Sequence, residues 1–265
     1  MKHSSAASAR IAEHGTVLRC RVGSGVHGIT VDDQEDRDEM GVCVEPPEYV
    51  IGLSSFEQYV YRTRPEGVRS GPGDLDLTVY SLRKWMRLAL DGNPTVLLPL
   101  FVPDDELVRI DGLGRELRAS ADRVLSRRVG HRFLGFLCAQ RDSLLGRRGG
   151  RHTNRPELVE EHGFDTKFAY HMVRLGVQGV ELMETGRLTL PMPEPRATWL
   201  RELRRGEHSR DEALEAAAEL EDRLTRLLCT GDLPEEPQRE WADTWLVEAY
   251  RRHWAAQGAV PAADG

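Results

Sequence analysis

Lysine is scarce in this sequence: of 36 basic residues only Lys2, Lys84 and Lys167 are lysine, and the rest are arginine. An arginine bias of that size is what a GC-rich genome produces, so an arginine cluster alone is no evidence of function. No apolar run approaches the ~18 residues a bilayer crossing needs, which argues against membrane insertion. The opening residues, MKHSSAASARIAEHG, lack the apolar core of a secretion signal, and the cytoplasm is the expected compartment. Cysteine is sparse as well. Cys20, Cys43, Cys138 and Cys229 form no Cys-x-x-Cys pair, which speaks against a zinc knuckle and against a disulfide framework. No internal repeat is visible.

What is present is a chain of 265 residues, long enough for one large domain or two ordinary ones. Its 40% hydrophobic and 30% charged content is close to the globular average. The net charge of −7 is unevenly spread. Residues 1–110 hold 12 basic and 17 acidic side chains, residues 111–190 hold 14 and 10, and residues 191–265 hold 10 and 16. The middle is basic and both ends are acidic.

The first 110 residues read as strand-rich. After a short helix over 8–14, strands are expected at Thr16–Val22, around Met40–Val44, at Tyr49–Leu53, at Gln58–Thr63 and at Leu75–Tyr80. From Ser81 the apolar residues Leu82, Trp85, Met86, Ala89 and Leu90 follow helical spacing until Asp91-Gly92-Asn93-Pro94. Beyond Asp111 the pattern is almost wholly helical, with spans at 111–120, 123–145, 165–184, 196–205, 209–229 and 237–256. Strands followed by helices make an α+β chain, divided at about residue 110 into a first domain, 1–110, and a helical domain, 111–265.

The first part carries the strongest chemical signal. Gly23 and Ser24 end a strand, Asp36 and Asp38 follow, and Asp74 and Asp76 stand at the start of a later strand. Residues two apart on a strand share a face, so Asp36 and Asp38 can converge and a neighbouring strand can add a third acid. Such carboxylates are costly together unless cations neutralise them, and Mg²⁺ shared with substrate phosphates is the usual solution. Gly-Ser at a strand end offers close backbone approach, free N–H groups and a hydroxyl to a triphosphate. A plain solvated acidic loop is the competing reading of residues 32–39.

The order of these elements resembles the nucleotidyltransferases of the DNA polymerase β superfamily. Three blocks, 23–42 (GSGVHGITVDDQEDRDEMGV), 74–101 (DLDLTVYSLRKWMRLALDGNPTVLLPLF) and 162–188 (HGFDTKFAYHMVRLGVQGVELMETGRL), resemble the predicted nucleotidyltransferases linked to RNA repair in bacteria and phages. The resemblance implies a polymerase-β-like palm with a mixed sheet, followed by a helical partner. It also implies two Mg²⁺ ions, with Mn²⁺ as an alternative, and transfer of a nucleoside monophosphate from an NTP, ATP being favoured, to a hydroxyl. Asp36 and Asp38 match the metal-binding pair and Asp76 the third carboxylate, four residues before the matching Tyr80; Asp74 is its rival. Where the superfamily usually has an apolar residue between the paired acids, this chain has Arg37.

Lys167, His171 and Arg174 recur at i, i+4 and i+7, within about 60° on a helical wheel, beside the apolar stripe of Phe168, Met172 and Leu175. Such a cationic stripe is either a solvated face or a cleft wall, and the matching block DTKFAYHMVRL favours the wall, against the NTP phosphates. Lys84 either reaches phosphate or pairs with Glu57 or Asp91, and His27 and His131 have no evident partner. Residues 115–155 carry eleven Arg against Glu116, Asp122 and Asp142, which suits an RNA or DNA acceptor as well as it suits solvated helices. The expected activity is therefore Mg²⁺-dependent nucleotidyl transfer in nucleic-acid repair. Adenylylation of a protein, or nucleotide binding without turnover, are the alternatives.

Overall fold

A computed structural model describes residues 3–31, 37–65, 68, 71, 73–147 and 155–259. Five strands form one mixed sheet: β1 (Thr16–Val22), β2 (Arg37–Cys43), β3 (Gln58–Arg62), β4 (Leu75–Ser81) and β5 (Leu107–Ile110). Their spatial order is β3-β4-β2-β1-β5, with β2 and β4 parallel and the other neighbours antiparallel. The strand expected at 49–53 is instead a helical turn, α2 (Pro47–Val50), followed by bends. Pro47 sits at the first helical position, where its fixed φ and missing N–H cost nothing, and Glu48 favours the helix start. β5, a four-residue edge strand, breaks no apolar alternation that would announce it.

The helices are α1 (Ala6–Gly15), α3 (Leu82–Leu90), α4 (Gly112–Ala119), α5 (Ala121–Val124), α6 (Arg128–Leu144), α7 (Pro156–His162), α8 (Thr166–Thr185), α9 (Arg196–Arg204), α10 (Arg210–Thr230) and α11 (Arg239–Ala256). The single helix expected over 123–145 is interrupted at Leu125, which is extended and buried. The break also frees Arg127 to donate to the carbonyls of Gly231 (2.9 Å) and Leu233 (3.1 Å).

The two faces of the sheet are used differently. α1 covers one face through a small core of Ile11, Ala12, Cys43, Phe56, Leu77 and Val79. The main core runs from the opposite face, through Leu18, Val42, Leu82, Trp85 and Met86, into α6, α8, α9 and α11 without interruption. α8 lies at its centre: Ala169, Met172, Val173, Gly176 and Gly179 are buried, and a methyl group at Gly176 or Gly179 would strike Leu220 or Phe133 at under 3 Å. The fold is α+β, one mixed sheet with helices packed on both faces.

Candidate active site

Strand register brings the acids together. Val22 of β1 pairs with Asp38 of β2, Asp38 with Asp76 of β4, and Asp76 with Arg62 of β3, so these four residues form one lateral row on the face opposite α1. Adjacent strands lie about 4.8 Å apart, which sets Asp38 and Asp76 side by side. β1 then ends at Gly23, whose φ of +94° is left-handed; a Cβ there would stand 2.7 Å from Asp38 Oδ2. Gly23 is thus the position that lets the loop pass directly over the Asp38 carboxylate.

This row lines a cleft of about 550 Å³. The sheet supplies one wall through Asp38, Met40, Asp76, Thr78 and Tyr80, the turn after β1 adds Gly23, Ser24 and His27, and α8 and α9 supply the other wall through Lys167, Tyr170, His171, Arg174, Gln178 and Arg204. Gly23, Ser24, Asp38, Asp76, Lys167, His171 and Arg174 all line this one cleft. Asp36 lies outside the described residues. Lys84 is not in the cleft lining: its Nζ donates to Gln58 Oε1 at 3.0 Å and lies 3.5 Å from Glu57. Asp74 precedes the ladder of β4 and is buried against Arg64 Nε and Gly71 N, both at 2.9 Å, which hold its carboxyl below the usual range. Asp76 is the acid of that pair that faces the cleft.

The α8 wall differs from a plain cationic stripe in one respect. Burial first, then the charges of Arg174, Lys167, Arg155 and Arg204, push the pKa of His171 well below the ordinary value and favour its uncharged ring. His27, 2% exposed, is pushed down by burial and by Arg174. Its Nε2 lies 2.5 Å from Arg174 Nη1 and its Nδ1 3.0 Å from Gln178 Nε2, while Arg174 Nη1 also donates to Gln178 Oε1 at 3.2 Å. His27, Tyr170, Gln178 and Arg204 have no motif in the sequence that marks them.

The arginines of 115–155 are mostly occupied within the fold. Arg128 pairs with Glu236 (2.7 Å) and Asp91 (3.3 Å), Arg132 with Asp91, Arg141 with Glu221 and Arg155 with Asp165 (3.0 Å). Arg118 donates to the Val102 carbonyl and Arg123 to Gln238. Residues 148–154 lie outside the described residues.

Residues 3–248 match the family model RlaP, described as an RNA repair pathway DNA polymerase beta family. The chain belongs to that family. Family and fold indicate a nucleotidyltransferase of an RNA repair pathway. The crystal structure of a nucleotidyltransferase-like protein from Exiguobacterium sibiricum 255-15, at 1.90 Å resolution, is similar over 94% of this chain and 78% of that one. At 12% identity and a TM-score of 0.27 the likeness is too loose to carry an argument. No curated protein matches the chain. Among the described residues no helix is long and apolar enough to cross a membrane.

For the divalent ions typical of polymerase-β-like enzymes, the donor set fits. Two carboxylates in register on adjacent strands are hard oxygen donors, beside a glycine that leaves them room. Among the described residues no third His, Cys, Asp or Glu completes a cluster with them.

Proposed function

We propose that residues 1–110 form the palm and 111–265 the helical partner of an enzyme that moves a nucleoside monophosphate from an NTP to a hydroxyl of a nucleic-acid end. The observation that carries this reading is the lateral pairing of Asp38 with Asp76 at the mouth of the Gly23-Ser24 turn. Asp38 and Asp76, with Asp36 in the matching position, would hold two Mg²⁺ ions. When bound, such ions neutralise the phosphates and lower the pKa of an attacking hydroxyl.

The remaining work falls to the chain itself. Ser24 and the backbone of its turn cradle the triphosphate, and Lys167 and Arg174 offset its charge from the opposite wall. The acceptor oxygen bonds to the α-phosphorus, the bond from that phosphorus to its bridging oxygen breaks, pyrophosphate departs with the electron pair, and the hydroxyl proton passes to water. Positioning and electrostatics supply the rate, as in phosphoryl-type transfers generally.

The test is transfer of label from α-labelled ATP, in Mg²⁺, to cell RNA and to cell protein, followed by RNase or protease digestion. Asp38→Asn is expected to lower incorporation by roughly 10²- to 10³-fold or more, with an unchanged circular dichroism spectrum. Label that resists RNase, or a variant that keeps most of its activity, defeats the proposal.

A further inference from the structure

Tyr170 of α8 is buried, and two guanidinium groups approach its ring, Arg174 at 5.8 Å and Arg204 at 5.2 Å from the centroid. Arg204 is the last residue of α9 and lines the same cleft as Asp38 and Asp76. Both arginines are held by neutral groups. Arg204 Nη1 donates to the Ile29 carbonyl at 3.0 Å, and Arg174 Nη1 rests on His27 and Gln178. Arg174 Nε is buried with no hydrogen-bond partner. Among the described residues neither guanidinium has a carboxylate in ion-pairing range, whereas the nearby Arg155 and Arg201 pair with Asp165 (3.0 Å) and Glu194 (2.5 Å).

Two like charges on one ring, partly desolvated and without a counter-ion, are unfavourable until an anion joins them. Guanidinium forks suit phosphate oxygens, and both guanidiniums line the cleft that holds Asp38 and Asp76. Arg204 is also tied to the catalytic turn. Ile29, whose carbonyl it holds, donates its own N–H to the Ser24 carbonyl at 3.2 Å, while Arg201 holds the neighbouring Gly28 carbonyl at 2.6 Å.

We infer that Arg204 and Arg174 form a two-arginine clamp for the terminal phosphates of the triphosphate, the pair that leaves as pyrophosphate. This rests on the nucleotidyltransferase reading above and adds Arg204, from α9, to the site. Because its Nη1 also fixes the turn that bears Ser24, the clamp and the turn move as one unit.

The experiment is titration calorimetry on the full chain, without acceptor, using ATP, AMP and inorganic tripolyphosphate. The wild type is expected to bind ATP and tripolyphosphate more tightly than AMP. Arg204→Gln should weaken ATP and tripolyphosphate about 10-fold or more and leave AMP within about twofold, with Arg204→Lys in between. Arg201→Gln cuts the other tether of the turn and is expected to leave the ATP-to-AMP ratio unchanged. Equal loss of that ratio in both variants means that Arg204 acts only through the turn, and overturns the inference. So does failure of the wild type to bind tripolyphosphate, or ATP and tripolyphosphate binding that Arg204→Gln leaves unchanged. Triphosphate binding that depends on Arg204 without transfer to any acceptor would instead count against the function proposed above and leave the clamp standing.

Discussion

Gly23 does two things that no other residue does there. It adopts a φ of +94°, and it clears the space in which Asp38 Oδ2 sits. Gly23→Ala would cost about 1–2 kcal/mol from the left-handed backbone alone. It would also press a methyl group against the carboxylate, so activity should fall further than stability. Urea denaturation beside the KM for ATP and kcat separates the two: a loss of about 10-fold or more in kcat/KM with only a modest fall in the denaturation midpoint is expected. At this scale the row that lines the cleft is readable, because Gly23, Ser24, Asp38 and Asp76 lie on or beside strands whose period of two fixes their facing. The choice between Asp74 and Asp76 was not, since parity treats them alike and only Arg64 and the Gly71 N–H reveal that Asp74 is already taken. Nor were His27 and Arg204 readable: their partners stand 147 and 175 residues away, and nothing local marks them.

α8 is the element that joins core and cleft. Its buried stripe continues the main core, and the adjacent stripe of Lys167, His171 and Arg174 lines the cleft, a placement that spacing alone left open between solvent and a cleft wall. Its start is fixed by Asp165, whose Oδ1 accepts from the N–H groups of Lys167 (3.0 Å) and Phe168 (3.1 Å) and whose carboxylate pairs with Arg155. Asp165→Ala removes both the cap and the ion pair, and should cost about 2 kcal/mol in urea unfolding. Asp165→Asn keeps a capping oxygen and should lose less. If the two variants lose the same amount, the cap contributes nothing and the pair carries the whole effect. Elements with a full hydrophobic period, such as β1 and α8, were legible to within a residue or so. Short ones were not: β5 has four residues, α2 depends on a proline at its first position, and the break at Leu125 interrupts an unbroken apolar pattern.

Across the whole molecule, charge is arranged so that the basic middle meets the acidic tail: Arg141 pairs with Glu221 and Arg128 with Glu236. One acid at the joint between the sheet and the last helix is an exception. Glu45, fully buried just past β2, accepts from the Tyr250 hydroxyl at 2.8 Å, and its backbone carbonyl accepts from Trp254 Nε1 at 2.9 Å. Burial raises its pKa, against the opposing pull of its own backbone N–H, the Tyr250 hydrogen bond and Arg83. A carboxyl whose folded pKa is raised binds more protons folded than unfolded. Its contribution is fully present below the unfolded value, near 4.3, and is lost as pH rises through the folded value. Glu45→Gln keeps an oxygen for Tyr250 and removes the titration. The variant should therefore match the wild type near pH 4.5, and its Tm should exceed the wild type's as pH rises through the folded value. Thermal melts from pH 4.5 to 8 check this. A gap that closes or reverses as pH rises would mean that the ionised carboxylate, held by Tyr250 and Arg83, is what fastens α11 to the sheet.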